Sequence, residues 1–189
     1  MKKTLFAAAF ASLLTNSAFA APQTYTFDPA HSFPHFSYDH IGMTTQALRF
    51  NDMTGTVILD KEAKTGQVDA IIDMKSIDTG FDNFNQGIQA ADFLDTAQFP
   101  TATFKSTKVI FEGDKPVSID GDLTIKGVTK PITLTVQSFI NKTHPMLKKD
   151  AIGVTASGVL KRSEFNAGKF APLVGDDVTL NIVVEALAQ

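Results

Sequence analysis

Residues 117–137, VSIDGDLTIKGVTKPITLTVQ, form two arms of alternating apolar and polar side chains that meet at Lys126-Gly127. Serine, aspartate, threonine and lysine fill most positions between the apolar ones. A period of two gives an antiparallel hairpin one dry face and one wet face. The stretch therefore predicts two paired strands with one face turned towards a core. The apolar positions are Val117, Ile119, Leu123, Ile125, Ile132, Leu134 and Val136.

The same alternation continues on both sides of this hairpin, in runs joined by short turns. We count about eight strands, and an all-β antiparallel chain of this size closes as a two-sheet sandwich or as a barrel. Strands near ten residues and an interior rich in phenylalanine favour a barrel around an apolar tunnel, although a packed core uses the same residue types. The other runs begin at Tyr25 and cover 31–40, 53–60, 68–74, 102–111, 152–160 and 178–184.

The stretch from Phe81 to Ser106 breaks the strand pattern, because its apolar residues recur at helical spacing. We expect one short helix inserted into the all-β chain, with Asn83 or Asn85 as its cap and Pro100 as its end. An apolar stripe on such a helix must cover another surface, so the helix is predicted to lie over the end or the open face of the sheet. The stripe contains Phe84, Ile88, Ala91, Phe93 and Leu94.

Residues 1–20 have the pattern of a secretory signal peptide: Lys2-Lys3, an apolar run over 5–14, and small residues up to Ala20. The run is about half the roughly 20 residues that span a bilayer, so we expect cleavage after Ala20 rather than a membrane anchor. Residues 21–189 then form one exported domain, and we expect a periplasmic location for it. The chain has no cysteine and therefore no disulfide framework.

Charge excludes some partners of the exported domain. Removal of the two lysines in residues 1–20 changes the formal net charge from -3 to -5. An acidic chain is a poor match for nucleic acid or for an anionic membrane surface. No later stretch is long and apolar enough to predict a transmembrane helix.

Three histidines near the start of the domain, His31, His35 and His40, suggest a metal site at first sight. His31 and His35 have the helical ligand spacing of four, but Pro29 and Pro34 argue against a helix there. In an extended strand the two would lie about 13 Å apart, too far to share one ion. We therefore predict no metal, and expect His31 and His40 to hydrogen-bond loop backbone at the mouth of the barrel.

The sequence contains no recognised catalytic signature. Serine, histidine and acids are present, but there is no nucleophile elbow, phosphate loop, HExxH motif or cysteine nucleophile. Most acids lie in turns or on the wet faces of strands, where carboxylates are ordinarily solvated. We predict no catalytic residues, and keep a packed barrel that acts through its surface as the alternative to a binding protein.

Taken in order, several short motifs resemble the YceI-like family of exported bacterial proteins over essentially the whole of residues 21–189. The resemblance implies a lipocalin-like antiparallel barrel whose pore holds a long polyisoprenoid, such as a polyprenyl phosphate or a quinone tail, and it makes a homodimer plausible. Many members carry charged residues, often an Arg-Asp pair, just before the position of Asp92, where this chain has Phe84, Asn85 and Gln86, with Gln89 further on. The motifs are Asp28, His31-Ser32, Phe36, His40, Asp92-Phe93, Phe99-Pro100, Phe104-Lys105-Ser106, Gly121 to Lys130, and Arg162-Ser163-Glu164-Phe165.

These expectations assign roles to particular residues. The inserted helix is expected to cover the pore, and the inward strand positions to form its wall, with no cofactor required beyond the lipid itself. A polar headgroup is expected at the mouth, near His31, His40 and Arg162, with a structural pairing of Arg162 to a carboxylate as the alternative. The lid residues are Phe84, Ile88, Phe93 and Leu94, and the wall residues are Phe36, Phe104, Leu123, Ile125, Ile132, Leu134, Val136, Leu180 and Ile182.

Overall fold

The structure, a computed structural model, describes residues 21–189, which form eleven β-strands and one α-helix. Residues 1–20, where the sequence predicts a signal peptide, lie outside the described residues. The elements are β1 (Gln23–Phe27), β2 (Phe33–His40), β3 (Thr44–Phe50), β4 (Met53–Asp60), β5 (Thr65–Asp73), β6 (Ile77–Asp78), α1 (Asp82–Ile88), β7 (Thr101–Glu112), β8 (Lys115–Ile125), β9 (Val128–Thr143), β10 (Asp150–Lys161) and β11 (Val174–Ala188).

Eight of the described strands close into a ring in the order β1-β4-β5-β7-β8-β9-β10-β11, and β1 pairs with β11 to complete it. Every pairing in the ring is antiparallel, so the predicted all-β barrel is confirmed. The hairpin of residues 117–137 falls in β8 and β9, with Ile119 opposite Leu134. The twelve residues of β10 extend over about 40 Å, and the usual strand tilt of a barrel reduces this to roughly 30 Å along the axis.

Strand β11 has two partners on the same edge, because β1 and β2 follow one another along it. Phe27 at the end of β1 lies opposite Ala186, and Phe33 at the start of β2 lies opposite Val183. The turn between them is fixed to Glu185, whose carbonyl accepts from the backbone N–H of Asp28 at 2.8 Å and from the hydroxyl of the fully buried Ser32 at 3.0 Å. The motif Asp28 to Ser32 thus holds the point where the chain passes from β1 to β2.

Beyond the ring, β2, β3 and β6 extend the sheet from β11 at one end of the barrel. The sequence did not predict β3 or β6. In β3, TTQALRF, only Leu48 and Phe50 are buried, and β6 has two residues, so neither gives a visible alternation. These strands enclose a second core, beside the one inside the ring, that contains Leu48, Phe50, Met74, Ile77 and Ala102.

The predicted inserted helix is present, but it is shorter than expected and its capping was wrong. Helix α1 ends at Ile88, and the N-cap is Phe81, which makes no side-chain capping bond. The Asn85 side chain accepts from the backbone N–H of Thr79 at 2.8 Å instead. After α1, backbone bonds such as Leu94 N–H to the carbonyl of Ile88 turn the chain back. Phe93 and Leu94 therefore lie in turns rather than on the helix.

Candidate ligand cavity

Two chambers within residues 21–189 follow one another along the barrel. The upper chamber, of about 300 Å³, lies between the end of the ring and a cover formed by α1, residues 89–94 and the loop 166–173. The lower chamber, of about 120 Å³, lies inside the ring. Leu180 on β11 lines both chambers. The two spaces therefore adjoin at this side chain, and together they outline an apolar passage that Leu180 interrupts.

The lower chamber is lined almost entirely by hydrocarbon. Among the described residues that line it, Gln67 is the one polar residue, and its exposed side chain donates to Asp69 at 2.7 Å outside the chamber. Its surface offers no group that would orient a polar ligand, so it suits an aliphatic chain. Of the predicted wall residues, it is lined by Phe104, Leu123, Ile132, Leu134, Leu180 and Ile182.

Two phenylalanines of the lower chamber pack directly on glycine backbone. A Cβ atom placed on Gly121 would lie 2.4 Å from the ring of Phe104, and one placed on Gly55 would lie 2.6 Å from the ring of Phe27. Aromatic rings commonly cover strand glycines in this way. Because each ring occupies the space that a Cβ would take, it lies against the barrel wall, and the centre of the chamber stays open.

A polar network joins the strands at the lower end of the barrel. The hydroxyl of the buried Tyr25 donates to the carboxylate of Asp150 at 2.8 Å, and the Asn141 amide donates to the other carboxylate oxygen at 2.8 Å. Partial burial alone would raise the pKa of Asp150, but these bonds and the nearby Lys61 ammonium hold it below its usual value. The network ties β1 to β9 and β10 beneath the lower chamber.

The upper chamber combines aromatic and aliphatic walls with a few polar groups. It receives side chains from β2, from the α1 segment, and from the loop that follows β10. The structure brings the predicted residues Phe36, Phe84, Ile88, Phe93, Leu94, Ile125, His40 and Arg162 together here. Its remaining lining residues are Tyr38, Phe50, Met74, Leu160, Phe165, Ala167, Lys169, Phe170, Val174, Val178 and Leu180.

Arg162 is occupied by backbone carbonyls. Its Nε donates to Gly175 at 2.8 Å, one terminal nitrogen donates to Ala167 and Lys169 at 2.6 and 2.8 Å, and the other donates to Val174 at 2.8 Å. Four of the five N–H groups of the guanidinium are thereby used. The alternative role, a structural pairing with a carboxylate, was wrong in its partner, because Arg162 binds carbonyls of the loop that forms one side of the upper chamber.

Replacing Arg162 with lysine is expected to lower the free energy of unfolding by about 2 kcal/mol, because a compact ammonium cannot reach four carbonyls at once. Amide hydrogen exchange should also accelerate across residues 166–175. The matched control is Arg49→Lys at the chain's other arginine, whose contacts are an ion pair to Asp78 at 3.7 Å and the ring of Phe33. Equal effects of the two substitutions in urea unfolding would contradict the role given to Arg162.

Contacts of Lys169, Phe170 and Lys126 hold the cover over the upper chamber. Lys169 pairs with Asp92, which lowers the pKa of that carboxyl, and its ammonium lies 5.3 Å from the ring centre of Phe93. The rings of Phe93 and Phe170 are 6.0 Å apart. Lys126 donates to the carbonyl of Ala91 at 3.2 Å, and also to the loop after β10. The cover is therefore held mainly by exposed contacts that open at modest cost.

Two of the predicted site residues lie away from both chambers. His31 is on the outer surface, where its ring bonds to the Asp28 carboxylate at 2.7 Å, so its expected place at the mouth was wrong. The reason is that β2 begins beside Glu185 and carries only its far end, with His40, to the upper chamber. Val136 packs against the ring core but lines neither chamber.

Asp28, His31 and Glu185 also form the one group of potential metal ligands within residues 21–189. The bond to Asp28 raises the pKa of the His31 imidazole and lowers that of the carboxyl. These shifts are those of an internal ion pair. The closeness of these three residues is therefore explained by the Asp28–His31 pair and by the turn between β1 and β2 that the pair stabilises.

Sequence reasoning missed several residues of the upper chamber. Tyr38 continues the alternation of Phe36 and was available from the pattern. Lys169 and Phe170 lie in an irregular loop, where no periodicity predicts the direction of a side chain. Phe165 belongs to one of the family motifs, and its burial gives that motif a structural role.

The fold and the cavity define the class of the protein, a closed antiparallel barrel of lipocalin-like type with a covered apolar interior. The chain belongs to the YceI-like family, because the model of the YceI-like domain matches residues 25–186. Protein YceI of Escherichia coli O6:H1 is 36% identical, and that of Salmonella agona is 37% identical, each over the whole of both chains. The resemblance inferred from the motifs is thus confirmed.

Solved structures show the same fold. BcnA of Burkholderia cenocepacia matches with a TM-score of 0.69 and 24% identity over 84% of this chain and 98% of that one. A polyisoprenoid-binding domain from Saccharophagus degradans matches with a TM-score of 0.67 and 19% identity over 88% and 99%. In the part of the chain that the structure describes, no helix is long and apolar enough to cross a membrane.

Proposed function

We propose that this protein binds one long isoprenoid lipid, with its tail passing from the upper into the lower chamber. The observation that carries the proposal is the alignment of two apolar chambers that share Leu180 within an elongated barrel. The likeness in fold to the polyisoprenoid-binding domain of Saccharophagus degradans supports the same ligand class. The predicted wall and lid residues that line the two chambers are the proposed contact surface for the tail.

Burial of a tail can supply the affinity without specific polar contacts. Each methylene removed from water contributes about 0.8 kcal/mol, and an isoprenoid tail carries many of them. Selection then follows the length and width of the passage rather than a pattern of hydrogen bonds. A branched, flexible chain can pass side chains that would stop a rigid ring system.

The polar groups of the upper chamber favour a neutral headgroup over a phosphate. Arg162 and Lys169 already have partners, so neither offers a free cation. The Tyr38 hydroxyl and the His40 imidazole line the chamber and make no side-chain hydrogen bond to another residue of 21–189. Burial raises the pKa of Tyr38, which keeps its hydroxyl a donor. A quinone carbonyl or an alcohol matches these two groups.

The protein is proposed to act as a binder or carrier in the periplasm, without chemistry of its own. Support comes from membership of the YceI-like family and from the signal-peptide pattern of residues 1–20. The chambers support it as well, because their few polar groups do not form a nucleophile with a base beside it. The expected homodimer is tested by the mass of the intact assembly in the experiment below.

We expect native mass spectrometry of the protein, purified from its own cells without detergent, to show one bound lipid per chain. Organic extraction should then yield an isoprenoid, and its headgroup should be a quinone or an alcohol. A polyprenyl phosphate would contradict the neutral headgroup but keep the lipid. A clean mass of the protein alone, with no uptake of added ubiquinone or polyprenyl phosphate, would leave a packed barrel acting through its surface as the better explanation.

A further inference from the structure

Large apolar side chains surround the mouth of the upper chamber and point into solvent. They stand on three separate segments: the turn between β2 and β3, the start of α1, and the loop before β11. Met43, Leu173 and Phe81 are 77%, 69% and 62% exposed. We name this set the rim, and it consists of Ile41, Met43, Phe81, Phe84, Phe170 and Leu173.

The rim is continuous with the chamber. Phe84 and Phe170 belong to both, since they line the chamber and are also partly or largely exposed. Leu173 precedes Val174, a lining residue that lies opposite His40 on β2. The turn with Ile41 and Met43 follows His40 directly. Anything that covers the rim therefore also faces the opening of the cavity.

We propose that the rim docks on the surface of a lipid bilayer and that the lipid passes directly between the membrane and the upper chamber. This inference rests on the proposed function, because a long isoprenoid resides in the membrane. A mouth seated in the interface spares the tail a passage through water. Exposed apolar patches mark interaction sites, and apolar side chains anchor peripheral proteins at the headgroup boundary.

A bilayer fits the rim better than a second copy of the chain. The apolar side chains stand on three separate segments around an opening rather than on one continuous strand or helix face. The carboxylates of Asp39, near the end of β2, and Asp176, near the start of β11, flank two of these segments, and Asp82 begins α1. A two-fold contact would bring these like charges together and seal both mouths. The same acids favour a neutral bilayer over an anionic one.

The opposite end of the barrel provides a matched control. Met146 and Leu147, in the turn between β9 and β10, are 83% and 55% exposed. They are again one methionine and one leucine, and the length of β10 separates them from the rim. The rim variant is Met43→Ser/Leu173→Ser, and the distal variant is Met146→Ser/Leu147→Ser. None of the four substituted residues lines a chamber.

The test is flotation of the purified protein with phosphatidylcholine vesicles that carry ubiquinone, together with the rate of ubiquinone transfer to acceptor vesicles. We expect Met43→Ser/Leu173→Ser to lower both the bound fraction and the transfer rate about tenfold. The distal variant should behave as the unmodified protein. All three proteins should bind ubiquinone presented in detergent equally well.

Three outcomes overturn the docking proposal: no flotation of the unmodified protein, no effect of the rim variant, or an equal effect of the distal variant. A fourth outcome assigns the rim to a second copy instead: the unmodified protein and the distal variant form dimers, and the rim variant is a monomer. Failure of the proposed function is a separate result, since it appears as no binding of detergent-presented ubiquinone. In that case the flotation of the unmodified protein, the rim variant and the distal variant still decides whether the rim docks on the bilayer.

Discussion

Replacing Gly121 with alanine is expected to lower the free energy of unfolding by about 3 kcal/mol and to close the lower chamber. The added Cβ would lie 2.4 Å from the ring of Phe104 and 2.6 Å from the carbonyl oxygen of Lys105. The carbonyl belongs to the paired strand β7, so it cannot move without disturbing the sheet. The ring can yield only by turning towards the centre of the barrel, into the space proposed for the lipid tail.

The control for this substitution is Gly153→Ala on β10, where an added Cβ meets no atom within 4 Å. Both changes add one methyl group to a strand glycine, so any general effect on strand propensity is shared. Urea unfolding measures the stability, and retention of ubiquinone measures the chamber. Equal behaviour of the two variants in both measurements would show that the packing of Phe104 on Gly121 is not needed to keep the lower chamber open.

The alternation of apolar residues predicted the ring of strands well, because burial on one face directly produces a period of two. Residues 117–137 show this most clearly, since β8 and β9 pair there as expected. The rule fails where a strand is short or buries few side chains, as in β3 with Leu48 and Phe50. Such strands form because neighbouring elements cover them, and that covering leaves no period in their own sequence.

The upper chamber was harder to predict, because much of it is made by loops. Arg162 was recognised as important, but its partners are carbonyls of residues 167–175, and a side-chain pattern does not encode carbonyl directions. The left-handed conformations of Asn166 and Phe170, at φ 57° and 66°, help to set those directions. His31 shows the opposite error, since a motif residue was placed at the mouth although its role is in the turn beside Glu185.

The division into two chambers also has no counterpart in the sequence. Leu180 and Ile182 alternate identically on β11, yet only Leu180 lines both spaces. Which inward residue lies at the junction depends on how the ring and the cover meet. The sequence predicts that Leu180 faces inward, and the structure adds that its side chain lies between the two chambers.

Replacing Leu180 with phenylalanine is expected to weaken binding of ubiquinone with a long tail at least about a hundredfold, and to leave binding of farnesol nearly unchanged. The larger ring would block the junction, so a long tail loses the lower chamber while a short one still fits the upper chamber. Excluding about four carbons costs about 3 kcal/mol at 0.8 kcal/mol each, which corresponds to roughly a hundredfold in affinity.

The matched control is Thr179→Phe, which adds a ring to the preceding residue of β11, on the exposed outer face. It should bind both probes as the unmodified protein does. Equal loss of ubiquinone and farnesol in Leu180→Phe would indicate damage to the upper chamber rather than a blocked passage. Unchanged ubiquinone binding would mean that the tail does not cross the junction, because a chain held only in the upper chamber or on the outside of the barrel is insensitive to the size of residue 180.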